Sequence, residues 1–251
     1  MVARGGALPS KIEPDSIVEA IFEVRFETSM LMERFAGRIL ESDTWRAAEL
    51  RYLPGYQIPS AARSINPDFR YVPSLEVALL EPDPRVLRLG PFALSYHCMK
   101  RYVGWPKFKR DLEQTVDLLF SVTTDLTVKR LGLRYMNALT EQGHGIRSMA
   151  DLDVRIAVAD SLLIDNVNLN YIVDLPNVGK CGVRMTSRDQ VTGVLPDGTR
   201  AFVDVDVYTN DEFECRDAGT VKAWLESAHT LEKIEFFHLL TGATIDALKR
   251  T

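Results

Sequence analysis

Apolar residues recur at every second position along SIVEAIFEVRFE, residues 16–27. The even positions carry apolar side chains, apart from the first, and most of the odd positions carry charges. A period of two is typical of a β-strand that buries one face and exposes the other. We therefore predict a half-buried strand here, with Phe22 and Val24 in the core.

Similar alternation predicts further strands along the chain. SLEVALLEP and RVLRLG are predicted to form a hairpin through EPDP, and DQVTGVLPDGT is predicted to supply a turn in which the DG pair favours positive φ. The other predicted strands are FALSYHCM, DLTVKRLGLRYMNAL, NVNLNYIVDL, GKCGVRMTS and RAFVDVDVYTN.

Helical spacing of apolar residues appears in four other segments. They are SMLMERFAGRILES, GWPKFKRDLEQTVDLLFSV, GTVKAWLESAHTLEKIEFFHLL and the short TIDALKR. Between Glu49 and Arg85, the stretch YLPGYQIPSAARSINPDFRYVP is rich in proline and polar residues. We expect a long, partly irregular connection there.

The order of these elements predicts the fold class. Strands follow one another with few helices between them, which favours a mainly antiparallel sheet with helices packed on one face, in an α+β protein. A length of 251 residues suits a single domain spanning 1–251. Glycines around TEQGHGIRS mark a candidate division into an N-terminal half, 12–140, and a loosely similar C-terminal half, 146–251.

Charged side chains occupy the second face of several predicted strands, which we call the charged face. In VKRLGLRYMN, Leu131, Leu133 and Tyr135 alternate with Arg130, Gly132 and Arg134. Val203, Val205 and Val207 likewise alternate with Asp204 and Asp206, and Val183 and Met185 with Arg184 and Arg188. We expect the apolar set, including Leu133 and Val205, to lie under the helices.

Three interpretations of the charged face remain open. Opposite charges on neighbouring strands can form a solvated ladder of ion pairs. Arginine also binds planar anions such as carboxylate and phosphate through two parallel hydrogen bonds, so the face could hold a partner or ligand. An oligomer interface is the third interpretation. The candidate binding residues are Arg130, Arg134, Asn137 and Arg184, and we expect the first two to serve recognition more than folding.

Composition narrows the function classes. The net charge of −5 argues against a broadly basic nucleic-acid binder. Cys98, Cys181 and Cys215 are far apart, and the four histidines are scattered, so we predict neither a metal site nor a cofactor. No apolar run approaches the ~20 residues of a membrane helix. The start, MVARGGALPSK, lacks an apolar core typical of a secretory signal, so we expect a cytoplasmic protein free of membrane.

The sequence lacks the common catalytic motifs, which gives little support for an enzyme. The sequence has no GxxxxGK[ST], GxGxxG, GxSxG or HExxH pattern. His97 follows Ser95 at a distance of two residues on one strand, and we expect such parallel side chains not to contact each other. His97, Asp204 and Asp206 are therefore only weak catalytic candidates. We interpret His229 and Trp105 as structural residues.

Five segments in order resemble one protein family. They are PDSIVEAIFEVRF, LRLGPFALS, GWPKF, KRLGLRYMN and SAHTLEKIEFF. Together they are similar to a sporadically distributed family of uncharacterised bacterial proteins, with an R-L-G-L-R-Y-x-N strand, an L-G-P turn and a W-x-x-F helix start. The patchy distribution of that family implies an accessory role, including defence or toxin-associated systems.

The leading hypothesis is a non-enzymatic binding or adaptor protein in such a system. Its partner would be another protein or a small anionic ligand, and the chain could form a homo-oligomer. The alternative is an enzyme or small-molecule sensor whose site is assembled from distant strands. For an enzyme, the candidates are His97, Arg134 and either Asp204 or Asp206. For a sensor, the expected site is a pocket between sheet and helices.

Overall fold

The architecture was analysed in a computed structural model that describes residues 8–9, 12–80, 84–99, 101–188, 191 and 195–248. Within these residues, nine strands form one antiparallel sheet in the order β2-β3-β4-β5-β1-β6-β11-β10-β9. The strands are β1 (Ile17–Glu27), β2 (Glu49–Tyr52), β3 (Leu75–Leu79), β4 (Arg85–Gly90), β5 (Ala93–Met99), β6 (Thr127–Thr140), β9 (Asn168–Leu175), β10 (Gly179–Ser187) and β11 (Thr199–Tyr208); β7 (Ala157–Val158) and β8 (Ser161–Leu162) form a separate small hairpin.

Helices pack against one face of this sheet. The long helices α4 and α6 contact each other; α4 also packs on β5, and α6 on β6 and β11. The helices are α1 (Met32–Glu41), α2 (Ser60–Ile65), α3 (Pro67–Arg70), α4 (Trp105–Val122), α5 (Glu141–His144), α6 (Ala218–His238) and α7 (Gly242–Leu248). None of the helices in the described ranges is both long and apolar enough to cross a membrane.

The predicted fold class and strand faces are confirmed. Phe22, Val24, Leu133 and Val205 are fully buried in the core beneath the helices. The antiparallel pairing of β3 with β4 confirms the hairpin, and Gly198, with φ of 74°, confirms the positive-φ turn. Residues 81–83, 189–190 and 192–194, which belong to the predicted EPDP and DQVTGVLPDGT turns, lie outside the described residues.

The connection after Glu49 is more regular than expected. It contains β2, a 3-10 turn at Pro54–Gln57, and the short helices α2 and α3. The buried guanidinium of Arg63 binds this segment together by donating hydrogen bonds to the carbonyl oxygens of Gly55, Phe69 and Val72. The strand β2 escaped prediction because it is an edge strand whose four residues are all exposed, so burial imposes no alternation on its sequence.

Candidate functional site

A continuous row of directly paired residues crosses the charged face of the sheet. Most of its members are charged, but small residues on β5 and β6 interrupt it near the centre. The missing side-chain volume helps form a depression of about 350 Å³, which we call the charged-face depression. From edge to edge the row is Arg51, Glu76, Arg88, Ser95, Glu23, Gly132, Tyr208, Lys180 and Asp174.

Gly132 explains why a glycine stands between two arginines. The Arg130 side chain folds over it, with Nη1 2.9 Å from Glu23 Oε1 and the guanidinium 4.6 Å from the centre of the Tyr208 ring. A Cβ at position 132 would lie 3.0 Å from Arg130 Nη1. The glycine therefore makes room for the arginine rather than for a bend in the chain.

We expect Gly132→Ala to destabilise the protein by about 0.5–1 kcal/mol, because Arg130 must shift from its contacts with Glu23 and Tyr208, and this loss exceeds the strand propensity that alanine recovers. Gly182→Ala on β10 is the matched control. Its Cβ would make only ordinary contacts, the nearest at 3.7 Å, so it should be neutral or slightly stabilising. Urea unfolding of both variants measures the difference, and equal effects would contradict this role of Gly132.

Arg134 forms the tightest ion pair of the charged face. Its Nε lies 2.7 Å from Asp204 Oδ1 and its Nη2 lies 2.5 Å from Asp204 Oδ2, which is the two-pronged geometry of arginine with a carboxylate. The Asp204 side chain is only 7% exposed, and that of Arg134 is 40% exposed. Burial raises the pKa of neighbouring Asp206, although Arg130 and Arg134 oppose the shift.

The predicted binding residues do not form one site. Arg130 and Arg134 line the charged-face depression, whereas Arg184 is exposed on β10 with one contact, at 3.3 Å to Asn168. Asn137 lies on the opposite, helix-covered face, where its Oδ1 accepts a hydrogen bond from Ser16 Oγ at 2.9 Å. Because side chains alternate along β6, Asn137 shares a face with Tyr135 and not with the arginines.

The expectation that Ser95 and His97 do not contact each other is wrong. Ser95 Oγ lies 2.8 Å from His97 Nε2, and both residues line the charged-face depression. The other ring nitrogen, Nδ1, lies 2.8 Å from Oε1 of Glu19 on β1, so the ring bridges Ser95 and Glu19. The two-residue spacing of Ser95 and His97 could not reveal that Glu19, on the neighbouring strand, also contacts the ring.

A second cavity, of about 340 Å³, lies on the helix-covered face, and we call it the helix-side pocket. Its walls come from residues 12–17 at the start of β1, residues 101–105 before α4, the end of β6, and one face of α6. On α6 the lining residues are His229, Glu232, Lys233 and Phe236, whose spacing places them along one side of a helix.

Aromatic rings form much of the helix-side pocket. Trp105 and His229 stack with ring centres 3.8 Å apart and an angle of 15° between the planes. The Tyr135 hydroxyl lies 3.4 Å from His229 Nδ1 and 3.2 Å from the Tyr102 hydroxyl. Burial, reinforced by Lys233, lowers the pKa of His229 to about 4, so its imidazole is neutral near pH 7.

Glu232 is the unusual group of the helix-side pocket. It is 5% exposed, and no described residue forms a hydrogen bond or ion pair with its carboxyl group. Burial raises the pKa of this carboxyl to about 8, although the nearby Lys233 charge opposes the shift. Its oxygens are open to the cavity rather than enclosed in the core. A carboxyl that is shielded from bulk water, faces a cavity and has no partner among the described residues marks a candidate binding site.

Sequence reasoning missed most of this pocket. It identified Asn137 as a binding candidate but interpreted His229 and Trp105 as structural, and it did not select Glu232 or Tyr102. One indication was present in the sequence. Glu232 falls in the inner stripe of α6, four residues after buried Ala228 and four before buried Phe236, where an apolar residue is expected.

Comparisons with known proteins leave these two sites without a relative as a guide. No protein-family model matches the sequence, and no curated protein matches it.

Proposed function

We propose that this chain is a binding protein whose helix-side pocket takes a small molecule bearing an ammonium group. The observation that carries the proposal is the buried Glu232 carboxyl, which faces the cavity without a partner among the described residues. An ammonium group would supply the missing positive charge and hydrogen-bond donors. A pocket between sheet and helices also corresponds to the small-molecule sensor considered from the sequence.

The rest of the pocket suits such a ligand. Tyr102, Trp105 and Tyr135 surround the cavity, and aromatic rings attract organic cations through the negative potential of their faces. The neutral His229 adds no charge that would repel a cation. Exposed Arg101 and partly exposed Lys233 also line the pocket, as do Glu13 and Asp15, so its outer part carries both signs of charge and can accept a zwitterionic ligand.

The cellular setting belongs to the same proposal. We infer an accessory role in a bacterial system from the resemblance of five segments to a sporadically distributed family, and a cytoplasmic location from the three buried, free cysteines, since thiols persist in a reducing compartment. Adaptor function through the charged face has weaker support, because its arginines already contact carboxylates of the same sheet.

Three probes that share a phenylethyl group test the proposal. Phenethylammonium carries only the ammonium group, L-phenylalanine carries both charges, and 3-phenylpropanoate carries only the carboxylate. We expect the first two to perturb the NMR signals of Trp105 and His229 in a saturable titration, and the third to bind at least tenfold more weakly. Affinity for the ammonium probes should rise from about pH 6 to 8, because binding requires ionised Glu232.

Glu232→Gln should weaken ammonium binding by about 10- to 100-fold, the range for losing a charged hydrogen bond. Glu235→Gln is the matched control, since Glu235 is buried on α6 but does not line the pocket. Preferential binding of 3-phenylpropanoate, or ammonium binding that is unaffected by Glu232→Gln, would refute the proposed ligand class.

A further inference from the structure

Ser95, His97 and Glu19 form a linear hydrogen-bonded chain on the charged face, on the side of the sheet opposite the helix-side pocket. Ser95 Oγ lies 2.8 Å from His97 Nε2, and Glu19 Oε1 lies 2.8 Å from His97 Nδ1. Ser95 and His97 belong to β5, and Glu19 belongs to the adjacent β1. Two rigid, paired strands therefore fix the positions of all three side chains.

Glu19 determines which nitrogen of His97 carries the proton. The pKa of Glu19 is lowered: burial raises it, but the hydrogen bond from His97 and the nearby charges of Arg88 and Arg134 outweigh that effect. An ionised carboxylate can only accept a hydrogen bond, so His97 donates from Nδ1. In the tautomer that donates from Nδ1, Nε2 is an acceptor, and Ser95 donates its hydroxyl proton to it.

This arrangement contains the three parts of an activated nucleophile: a hydroxyl, a base bonded to it, and a carboxylate that orients the base. Ser95 is partly exposed and lines the charged-face depression, so a small molecule can reach its oxygen. His97 is 5% exposed, which shields the base from bulk water.

Arginines surround the hydroxyl. Arg88 is the direct cross-strand neighbour of Ser95, which places their Cβ atoms about 5 Å apart. Arg88 bonds Glu76 through Nε, and its terminal amino groups form no hydrogen bond with a described residue. Arg25, Arg88, Arg130 and Arg134 line the depression, against the carboxylates of Glu23 and Asp206. Arg25, Arg130 and Arg134 are held by carboxylates, so the terminal amino groups of Arg88 are the ones that can meet an anionic group of a substrate.

We propose that Ser95 is the nucleophile of an acyl-transfer site that hydrolyses small carboxylic esters bearing an anionic group. As Ser95 Oγ bonds to the ester carbonyl carbon, its proton passes to His97 Nε2, and Arg88 stabilises the negative charge on the carbonyl oxygen. The C–O bond to the leaving alcohol then breaks, and His97 returns the proton to that oxygen. Water repeats the sequence on the acyl-serine, releasing the carboxylic acid and restoring Ser95.

Labelling with diisopropyl fluorophosphate tests the nucleophile independently of the natural ester. In this reaction the serine oxygen bonds to phosphorus, the P–F bond breaks, and fluoride leaves. We expect one label per chain, located at Ser95 by tandem mass spectrometry. Ser95→Ala should abolish it, and His97→Gln should slow it by about 10²–10⁴-fold, the usual contribution of a general base. Ser121→Ala, a serine on α4 outside the site, should label as wild type does.

Glu19 is assigned as a positioning residue. Glu19→Gln should slow labelling at least tenfold while the protein remains folded, because the charge that stabilises the imidazolium is lost.

With nitrophenyl esters, the anionic mono-4-nitrophenyl succinate should be hydrolysed faster than neutral 4-nitrophenyl butanoate, and Arg88→Ala should remove that preference. Absence of a label on Ser95, or labelling that persists unchanged in His97→Gln, would show that Ser95, His97 and Glu19 form only a structural hydrogen-bond network. Neither result depends on ligand binding in the helix-side pocket.

Discussion

Replacing Glu232 with glutamine is expected to raise the free energy of unfolding above pH 8 by about 3–5 kcal/mol. The carboxyl titrates near pH 8 in the folded protein, against an ordinary value of 4.5, and each unit of difference corresponds to about 1.4 kcal/mol. The folded state holds the proton more tightly than the unfolded state. The resulting stability is therefore complete below pH 4.5 and is lost as the pH rises through 8. Glutamine is neutral throughout and does not incur this loss.

Urea unfolding at about pH 5, 7 and 9 measures the effect. The two proteins should be similarly stable at the lowest pH and diverge progressively as the pH rises. A smaller slope will remain in Glu232→Gln, because burial also raises the pKa of Glu235. Glu212→Gln, at an exposed position, should change stability by less than about 0.5 kcal/mol. Parallel curves for wild type and Glu232→Gln would mean that Glu232 is solvated or paired.

This prediction and the binding experiment examine the same group in different ways. A buried, unpaired carboxyl weakens the fold as it ionises, whereas a bound ammonium group would compensate its charge. Saturating phenethylammonium should therefore restore part of the stability of the wild-type protein at pH 8 by mass action. The same probe should stabilise Glu232→Gln much less, because glutamine carries no charge that the ammonium group could compensate.

The sheet could be predicted from the sequence because burial on one face imposes a period of two. Residues 16–27 and the strand containing Leu133 show this directly, and their buried sets are those expected. Where burial imposes no pattern, prediction failed. The exposed edge strand β2 and the two-residue strands β7 and β8 are examples.

The candidate sites were less predictable because each combines segments distant in the chain. The helix-side pocket joins Ser16 and Tyr102 to Tyr135 and Glu232, and no local spacing relates these positions. In the charged-face depression, Ser95 and His97 are near in sequence, but Glu19, which contacts the other ring nitrogen of His97, is 78 residues away along the chain. Arg134 was identified from its strand face alone, and its pairing with Asp204 needed the register between β6 and β11.

The Arg134–Asp204 ion pair indicates that Arg134 stabilises the fold, whereas a residue that served only recognition would not. We expect Arg134→Ala to reduce the free energy of unfolding by about 2–3 kcal/mol, because it leaves the carboxylate of Asp204 buried without its counter-charge. The partial exposure of Arg134, at 40% of its side chain, keeps the loss below that of a fully buried pair. Arg184→Ala is the control, since its exposed side chain makes one long contact and its removal should cost less than about 0.5 kcal/mol.

A double-mutant cycle separates the ion pair from other contributions of the arginine. Asp204→Asn alone should cost about 1 kcal/mol, because Arg134 can turn toward water. Combining it with Arg134→Ala should cost clearly less than the sum of the two single changes, since the double variant contains no uncompensated buried charge. Additive losses would show that the two residues stabilise the sheet independently. In that case, pairing with Asp204 would not account for the stability that Arg134 supplies.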